Sequence, residues 1–287
     1  MAGADPVPGS NHASKPLPAS NLALRVLSSA VLAPLALLTA FLGNWPFAVF
    51  WGAAALIVLW EWITLVVGHS NRLMFSLCGG AIAIAGFLAW LDRPTAAILI
   101  VGLGALAAAI FAPSERRLWV TVGSGYAGAL LLAPMFLRVD DAYGFAAIVL
   151  VFAIVWTTDI LGYFAGRTFG GPKLMPTISP KKTWTGAIAG TVGAMIVAML
   201  IAMQFGLLNK LAILMIGLIL SVFAQAGDLF ESWVKRQFGA KDSGRLIPGH
   251  GGVMDRLDGF WAAVVAGCII GLLRGGFDEP ASGLLLW

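Results

Sequence analysis

The sequence is short of charge. Only 11% of its 287 residues are Asp, Glu, Lys or Arg, whereas 59% are hydrophobic. A soluble globule carries roughly twice that share of charged side chains, so the composition points instead to a polytopic membrane protein. Cysteine is scarcer still. Cys78 and Cys268 lie far apart inside apolar segments, where they read as small buried hydrophobes rather than as a disulfide or a thiolate metal site. The formal net charge is only +4 and the basic residues form no single run, so no nucleic-acid partner is expected. No internal repeat is visible, and neither half has the paired broken helices of an inverted-repeat transporter.

Long apolar runs are what the sequence has in abundance. Segments near 23–42, 45–67, 73–91, 95–112, 118–137, 143–165, 184–206, 211–230 and 259–273 give an all-α fold of about nine transmembrane helices, the last one short. Residues 1–20 are rich in Pro, Ser and Ala without apolar periodicity, which predicts a disordered tail with His12 solvated. An apolar run after a weakly basic start is also what a cleaved signal peptide has, but Ala23 to Leu42 is long enough to cross a bilayer and is taken as the first span. Residues 21–287 then form one membrane-embedded domain, with its chemistry expected in 155–275. Lys and Arg assigned to the amino end and the even-numbered connections number 14, against 4 on the other side, which places the amino terminus in the cytoplasm.

A few charges interrupt these runs. Glu61, in LWEWITL, is an isolated intramembrane acid, either a supporting partner for a cation or a carboxyl bonded between helices. Asp159 ends the sixth span and precedes Gly162, Ala165 and Gly166, small residues that allow close approach of another backbone. The sixth connection carries ISPKKTWTG, in which Thr183 or Ser179 can cap the seventh helix. Lys181 and Lys182 would then stand at a positive helix end suited to phosphate.

Polarity returns in force between Gly227 and Gly259. This stretch holds Asp228, Glu231, Asp242, Asp255 and Asp258 together with Lys235, Arg236, Lys241, Arg245 and Arg256. Asp228, Glu231 and Ser232 share one helical face, and Asp255 and Asp258 repeat the spacing at the start of the ninth span. A Gly- and Pro-containing connection should bring the two carboxylate pairs together, where a hard divalent cation such as Mg²⁺ would relieve their repulsion. Nucleotidyl transfer needs such an ion and cations for the departing pyrophosphate. Lys181, Lys182, Lys235, Arg236, Lys241 and Arg256 are available, and His250 suits a phosphate contact or loop structure better than a general base.

From Ser232 to Asp258 the pattern S-W-V-K-R-x4-K-D-x-G-x2-I-P-x-H-G-G-V-x-D-R-L-D resembles the signature of the phosphatidate cytidylyltransferase (CDP-diacylglycerol synthase) family. GDLFES, ISPKKTWTG and D-x2-G-Y-x2-G-R are similar to that family as well, in the same order. The resemblance implies an integral-membrane enzyme that condenses CTP with phosphatidic acid to CDP-diacylglycerol and pyrophosphate. It also implies Asp228 and Asp255 as metal ligands for Mg²⁺, with a second cation such as K⁺ compatible with the site. Lys182, Lys235, Arg236, Lys241, Asp242, His250, Arg256 and Asp258 are then expected in catalysis, and Asp159, Ser179, Lys181, Thr183 and Ser232 in ligand binding. Thr185 departs from the family, which often has Glu there.

An ion transporter would not need SPKKT or the HGG loop. A CDP-alcohol phosphotransferase is suggested by D-x2-D-G at Asp255–Gly259, but Ala262 and Ala263 stand where that motif needs Ala-Arg. A cytidylyltransferase acting on a polyprenyl or archaeal-type lipid phosphate remains the closer alternative. The sequence leaves the oligomeric state open, a homodimer included.

Overall fold

The computed structural model of the chain describes residues 19–68, 71–244, 246 and 251–287. Most of the expected tail, Arg245 and His250 lie outside them. The helices are α1 (Ala19–Leu42), α2 (Asn44–Val67), α3 (Arg72–Trp90), α4 (Pro94–Phe111), α5 (Arg117–Val139), α6 (Gly144–Thr168), α7 (Trp184–Gln204), α8 (Lys210–Gln237), α9 (Met254–Gly275) and α10 (Pro280–Leu285). Among the described residues α2 to α9 are long and apolar enough to cross a membrane, and α1 contributes the shorter apolar segment 30–42. The protein is a multi-pass, almost wholly helical membrane protein.

Local chemistry sets the helix starts. The side chains of Asn71, Thr183 and Asn209 accept from the backbone N–H of Met74, Gly186 and Ala212 at 3.1, 3.2 and 3.2 Å, satisfying donors that a helix start leaves without partners. Pro134 lies inside α5 rather than at its end. The eighth helix is 28 residues long, or about 42 Å at 1.5 Å per residue. Its last turns therefore reach beyond the ~30 Å hydrocarbon core, carrying Asp228 to Lys235 toward the interface. The ninth starts five residues earlier than its apolar run, so Asp255 and Asp258 lie in its first turns.

Two features were not legible beforehand. Between α6 and α7 the chain forms an antiparallel hairpin of β1 (Lys173–Met175) and β2 (Ser179–Thr183) with a register shift. After α9 the chain turns back into α10, where the Ser282 N–H and hydroxyl each donate to Asp140 at 2.7 Å. Arg274 lies 3.6 Å from the Trp287 ring centroid.

Glycine lets α6 and α7 approach closely. A Cβ on Gly186 would stand 2.5 Å from the Gly162 carbonyl oxygen, and one on Gly190 would stand 2.6 Å from that of Thr158. The small residues after Asp159 thus serve helix contact, which holds the hairpin beside α8. Stacked aromatic rings fill the middle of the bundle. Trp51 and Phe260 are 4.8 Å apart, and Tyr126 and Trp261 are 4.2 Å apart.

The connections separate into two ends. At one end the tip of α2 meets the start of α9 through Glu61, the α4–α5 connection meets α8 through Arg116 over Phe238 at 5.1 Å, and the hairpin meets α8 through Lys182. At the other, Trp90 donates to Asn44 at 2.6 Å and Arg138 donates to the Ala40 carbonyl at 2.7 Å. Even- and odd-numbered connections are therefore gathered at opposite ends, as alternate crossings require.

Candidate active site

Asp228 lies on α8 with Ser232 one turn on, and the Ser232 hydroxyl donates to Asp228 Oδ1 at 3.3 Å. Its Oδ2 is 2.5 Å from Lys182 Nζ, which reaches over from β2. Both side chains are about one quarter exposed. The pair links the sixth connection to α8.

Asp159 on α6 and Asp258 on α9 lie within electrostatic reach of Asp228, Lys182 and each other, and Arg256 acts on Asp159. Asp159 is exposed and Asp258 half-buried, so with Asp228 they form an accessible acid cluster. Gly227 keeps α8 tight against α9 here, because a Cβ on it would stand 2.5 Å from the Asp258 carbonyl oxygen.

A second cluster is more fully buried. The Lys235 ammonium sits between Glu231 Oε2 at 2.5 Å and Asp255 Oδ1 at 2.6 Å, with Glu231 fully buried. Asp255 Oδ2 accepts from the Ser243 N–H at 2.9 Å, the Ser243 hydroxyl at 2.9 Å and the Gly252 N–H at 2.8 Å. Asp255 therefore organises the connection that leads into α9. Buried opposite charges hold only when paired in this way, because removing one leaves the other desolvated.

Glu61 proves to be bonded between helices. Its oxygens accept from the N–H groups of Val253 at 2.9 Å and Met254 at 2.8 Å and from the Ser243 hydroxyl at 3.2 Å. A carboxylate at the start of α9 suits the positive end of the helix dipole. Gly244 and Gly252 make room for it, since a Cβ on either would stand 2.7 and 2.6 Å from its oxygens.

Other expected residues play quieter parts. Thr183 caps α7, and Arg236 donates to the Ala240 carbonyl at 3.0 Å at the end of α8. Ser179 is half-buried, while Lys181, Lys241 and Asp242 are exposed at the same end of the bundle. Thr185, the departure from the resembled pattern, donates to the Gly170 carbonyl. Sequence reasoning did not single out Ser243, Gly252 or Tyr126. Ser243 was findable as the polar residue beside Asp242 and Gly244, whereas the Tyr126 hydroxyl, buried near Glu231 and Asp258, sits in a helix with no outward sign of a role.

A model of the cytidylyltransferase family matches residues 23–272. The chain belongs to that family. It is 42% identical over 257 residues to a phosphatidate cytidylyltransferase of Brucella suis biovar 1 (strain 1330), covering 88% of this chain and 94% of the relative. It is also 42% identical over 255 residues to that of Brucella abortus biovar 1 (strain 9-941), covering 87% and 92%. The Rickettsia typhi phosphatidate cytidylyltransferase is 39% identical over 168 residues, covering 56% and 73%. The match reaches well into the amino half, upstream of every motif quoted above. As a cytidylyltransferase, the chain has at one end of its bundle the mixture that handling a triphosphate demands: accessible carboxylates for a cation, and Lys182 and Lys241 on two separate connections for phosphate oxygens.

Among the described residues no three His, Cys, Asp or Glu side chains form a ready-made metal cage. The donor set still fits Mg²⁺, which typically takes one or two carboxylates and completes its shell with water and substrate phosphate. Lysine ammoniums sit on Asp228 and Asp255, marking the places where positive charge is needed.

Proposed function

We propose that this protein transfers the cytidylyl group of CTP to phosphatidic acid, giving CDP-diacylglycerol and pyrophosphate, at the cytoplasmic face of the cell's inner membrane. The observation that carries the proposal is the Lys182–Asp228 pair, a removable ammonium on an accessible carboxylate at the rim of the bundle. A lipid acceptor arrives within the membrane and a nucleotide from water, so their chemistry belongs at such a rim. The even-numbered connections carry the excess of Lys and Arg, which supports a cytoplasmic placement of this end by the positive-inside rule.

In the reaction a phosphatidate oxygen attacks the α-phosphorus of CTP. The new P–O bond forms as the bond to the β-phosphate oxygen breaks, and pyrophosphate departs with that electron pair. A phosphate monoester is already nucleophilic near neutral pH, so no protein base is required. Lys182, released from Asp228, would hold the triphosphate with Lys181 beside it, while Arg256 and Lys241 neutralise charge on the leaving group. Asp228 would hold Mg²⁺, with Asp159 and Asp258 adding negative charge nearby, and Asp255 would join if Lys235 exchanged its contact for the ion. When bound, Mg²⁺ supplies charge neutralisation on the phosphates, and the same acids leave room for a second cation such as K⁺.

The test is purified full-length protein with labelled CTP, phosphatidate and Mg²⁺. Pyrophosphate and a nucleotide-bearing lipid should appear in equal amounts, and both should vanish when EDTA replaces Mg²⁺. Pyrophosphate without labelled lipid, or label only on a polyprenyl phosphate, would overturn the assignment.

A further inference from the structure

Next to Asp228 along α8 the bundle opens sideways into a groove of about 420 Å³ between β1, α7 and α8. Its lining is apolar, from Leu174 and Trp184 at the level of the hairpin to Val222 further in, except for Thr191 and Gln225. Polar side chains in a membrane wall are costly unless they have work to do. Gln225 Nε2 donates to Thr191 Oγ1 at 2.9 Å, while its contacts to Ser221 Oγ and the Ala187 carbonyl, at 3.4 and 3.5 Å, are at the limit of hydrogen bonding. Thr191 is fixed in turn: its hydroxyl is 3.2 Å from that of Ser221, which is 2.8 Å from that of Thr158 on α6. A buried chain of hydroxyls thus anchors the Gln225 amide, which lines the groove with one short hydrogen bond and two long ones.

Position selects the occupant. Gln225 precedes Asp228 by three residues, so it lies about 4.5 Å deeper along α8 on nearly the same face. In a glycerophospholipid the ester carbonyls lie a few bonds from the phosphorus, and they accept hydrogen bonds without donating any. We propose, resting on the acceptor lipid assigned above, that the groove takes the diacylglycerol part of that lipid and that Gln225, held by Thr191, donates to an ester carbonyl. The acyl chains run past Ile188 and Val222, and the phosphate reaches Lys182 and Asp228. Gln225 is then a specificity-determining residue that favours ester-linked over ether-linked glycerolipid.

Kinetics on the full chain with CTP and Mg²⁺ would compare diacyl phosphatidate with its dialkyl ether analogue. Wild type should show a KM about fivefold lower for the ester lipid, the scale of one hydrogen bond. Gln225→Leu should abolish that preference while leaving the KM for CTP and for the ether lipid unchanged, which also certifies folding. Ile188→Trp should raise KM for both lipids. Equal wild-type KM values, or a preference that survives in Gln225→Leu, would overturn the proposal. Cross-linking with a phosphatidate carrying a diazirine in its acyl chain, without CTP, reads the groove apart from turnover. Label on α7 and α8 near Ile188 and Val222 supports it, and its absence there sinks it. Label without transfer to either lipid would refute the transferase assignment alone. Disulfide-linked pairs formed by Ile188→Cys in membranes would give the groove to a second copy of the chain and end the proposal.

Discussion

The two ends of the helix bundle spend their charged residues differently. At the end holding the odd-numbered connections, Arg138 closes α1 by donating to the Ala40 carbonyl, and Asp140 accepts from the N–H groups of Ala142, Tyr143 and Ser282 and from the Ser282 hydroxyl. Those partners are backbone groups or short side chains held in place. At the other end, Asp228 meets a single long lysine and a serine at 3.3 Å, partners that a ligand can replace. Both ends must neutralise charge near a bilayer. Only one does so with groups that can leave.

The sharpest way to break the comparison is Asp228→Asn. The neutral amide keeps the shape and the Ser232 contact, so thermal stability in detergent should change little. Cytidylyl transfer should fall by about 10²–10³, the scale for losing a group that stabilises transition-state charge. Near-normal turnover would mean that the accessible acid is ornamental and that the two ends do not differ in kind. Gly227→Ala comes next. Its Cβ would stand 2.5 Å from the Asp258 carbonyl oxygen and 2.6 Å from Ala262 Cβ, forcing α8 from α9, so turnover should drop at least about tenfold through misplacement of Asp228. Equal activity would show that the two acids need not be held in register.

Glu61 complicates the division, because it lies at the site end but is built like Asp140. Three donors from the start of α9 and from Ser243 converge on it. Glu61→Ala leaves buried N–H groups without partners and should cost about 2–4 kcal/mol of stability, read as a lower melting temperature. Glu61→Gln, which still accepts, should recover part of that loss. A Glu61→Ala protein that melts like wild type but is inactive would move Glu61 into the chemistry.

How much of this was legible follows the same division. Apolar run length located α2 to α7 within a few residues, because a bilayer punishes any other backbone arrangement, whereas α8 ends seven residues after its apolar run and α9 starts five before its own. The i, i+3 spacing of Asp228 with Glu231 and of Asp255 with Asp258 indicated helical faces, and the structure brings α8 and α9 together along them. What spacing could not reveal was the pairing across elements: Lys182 on Asp228, Lys235 between Glu231 and Asp255, Glu61 on α9. Those depend on how helices far apart in sequence pack. The hairpin was missed because KLM and SPKKT are too short and too polar to alternate, and α10 because six residues leave no periodic signature. Gln225 was visible as a lone amide in SVFAQAG, but its purpose needed the groove beside it.

The smallest effect expected is at Asp140, and its pH dependence can be worked out. Burial pushes its carboxyl up, but the hydrogen bonds from Ser282, Tyr143 and Ala142 outweigh it and hold the pKa below the ordinary value of 3.8. A group depressed in the folded state adds stability that is fully present above its unfolded pKa and is lost as pH falls through the folded one. Asp140→Ala should therefore cost about 1–2 kcal/mol near neutral pH, the scale of a lost helix-start cap. The gap between variant and wild-type melting curves should narrow below about pH 4, where the unfolded carboxyl protonates. Transfer at pH 7 should be unchanged, since Asp140 lies at the end away from Asp228. A variant that melts like wild type at neutral pH but loses turnover would show that the far end is coupled to the chemistry after all, because a cap that contributes nothing to stability cannot act on Asp228 by loosening the bundle.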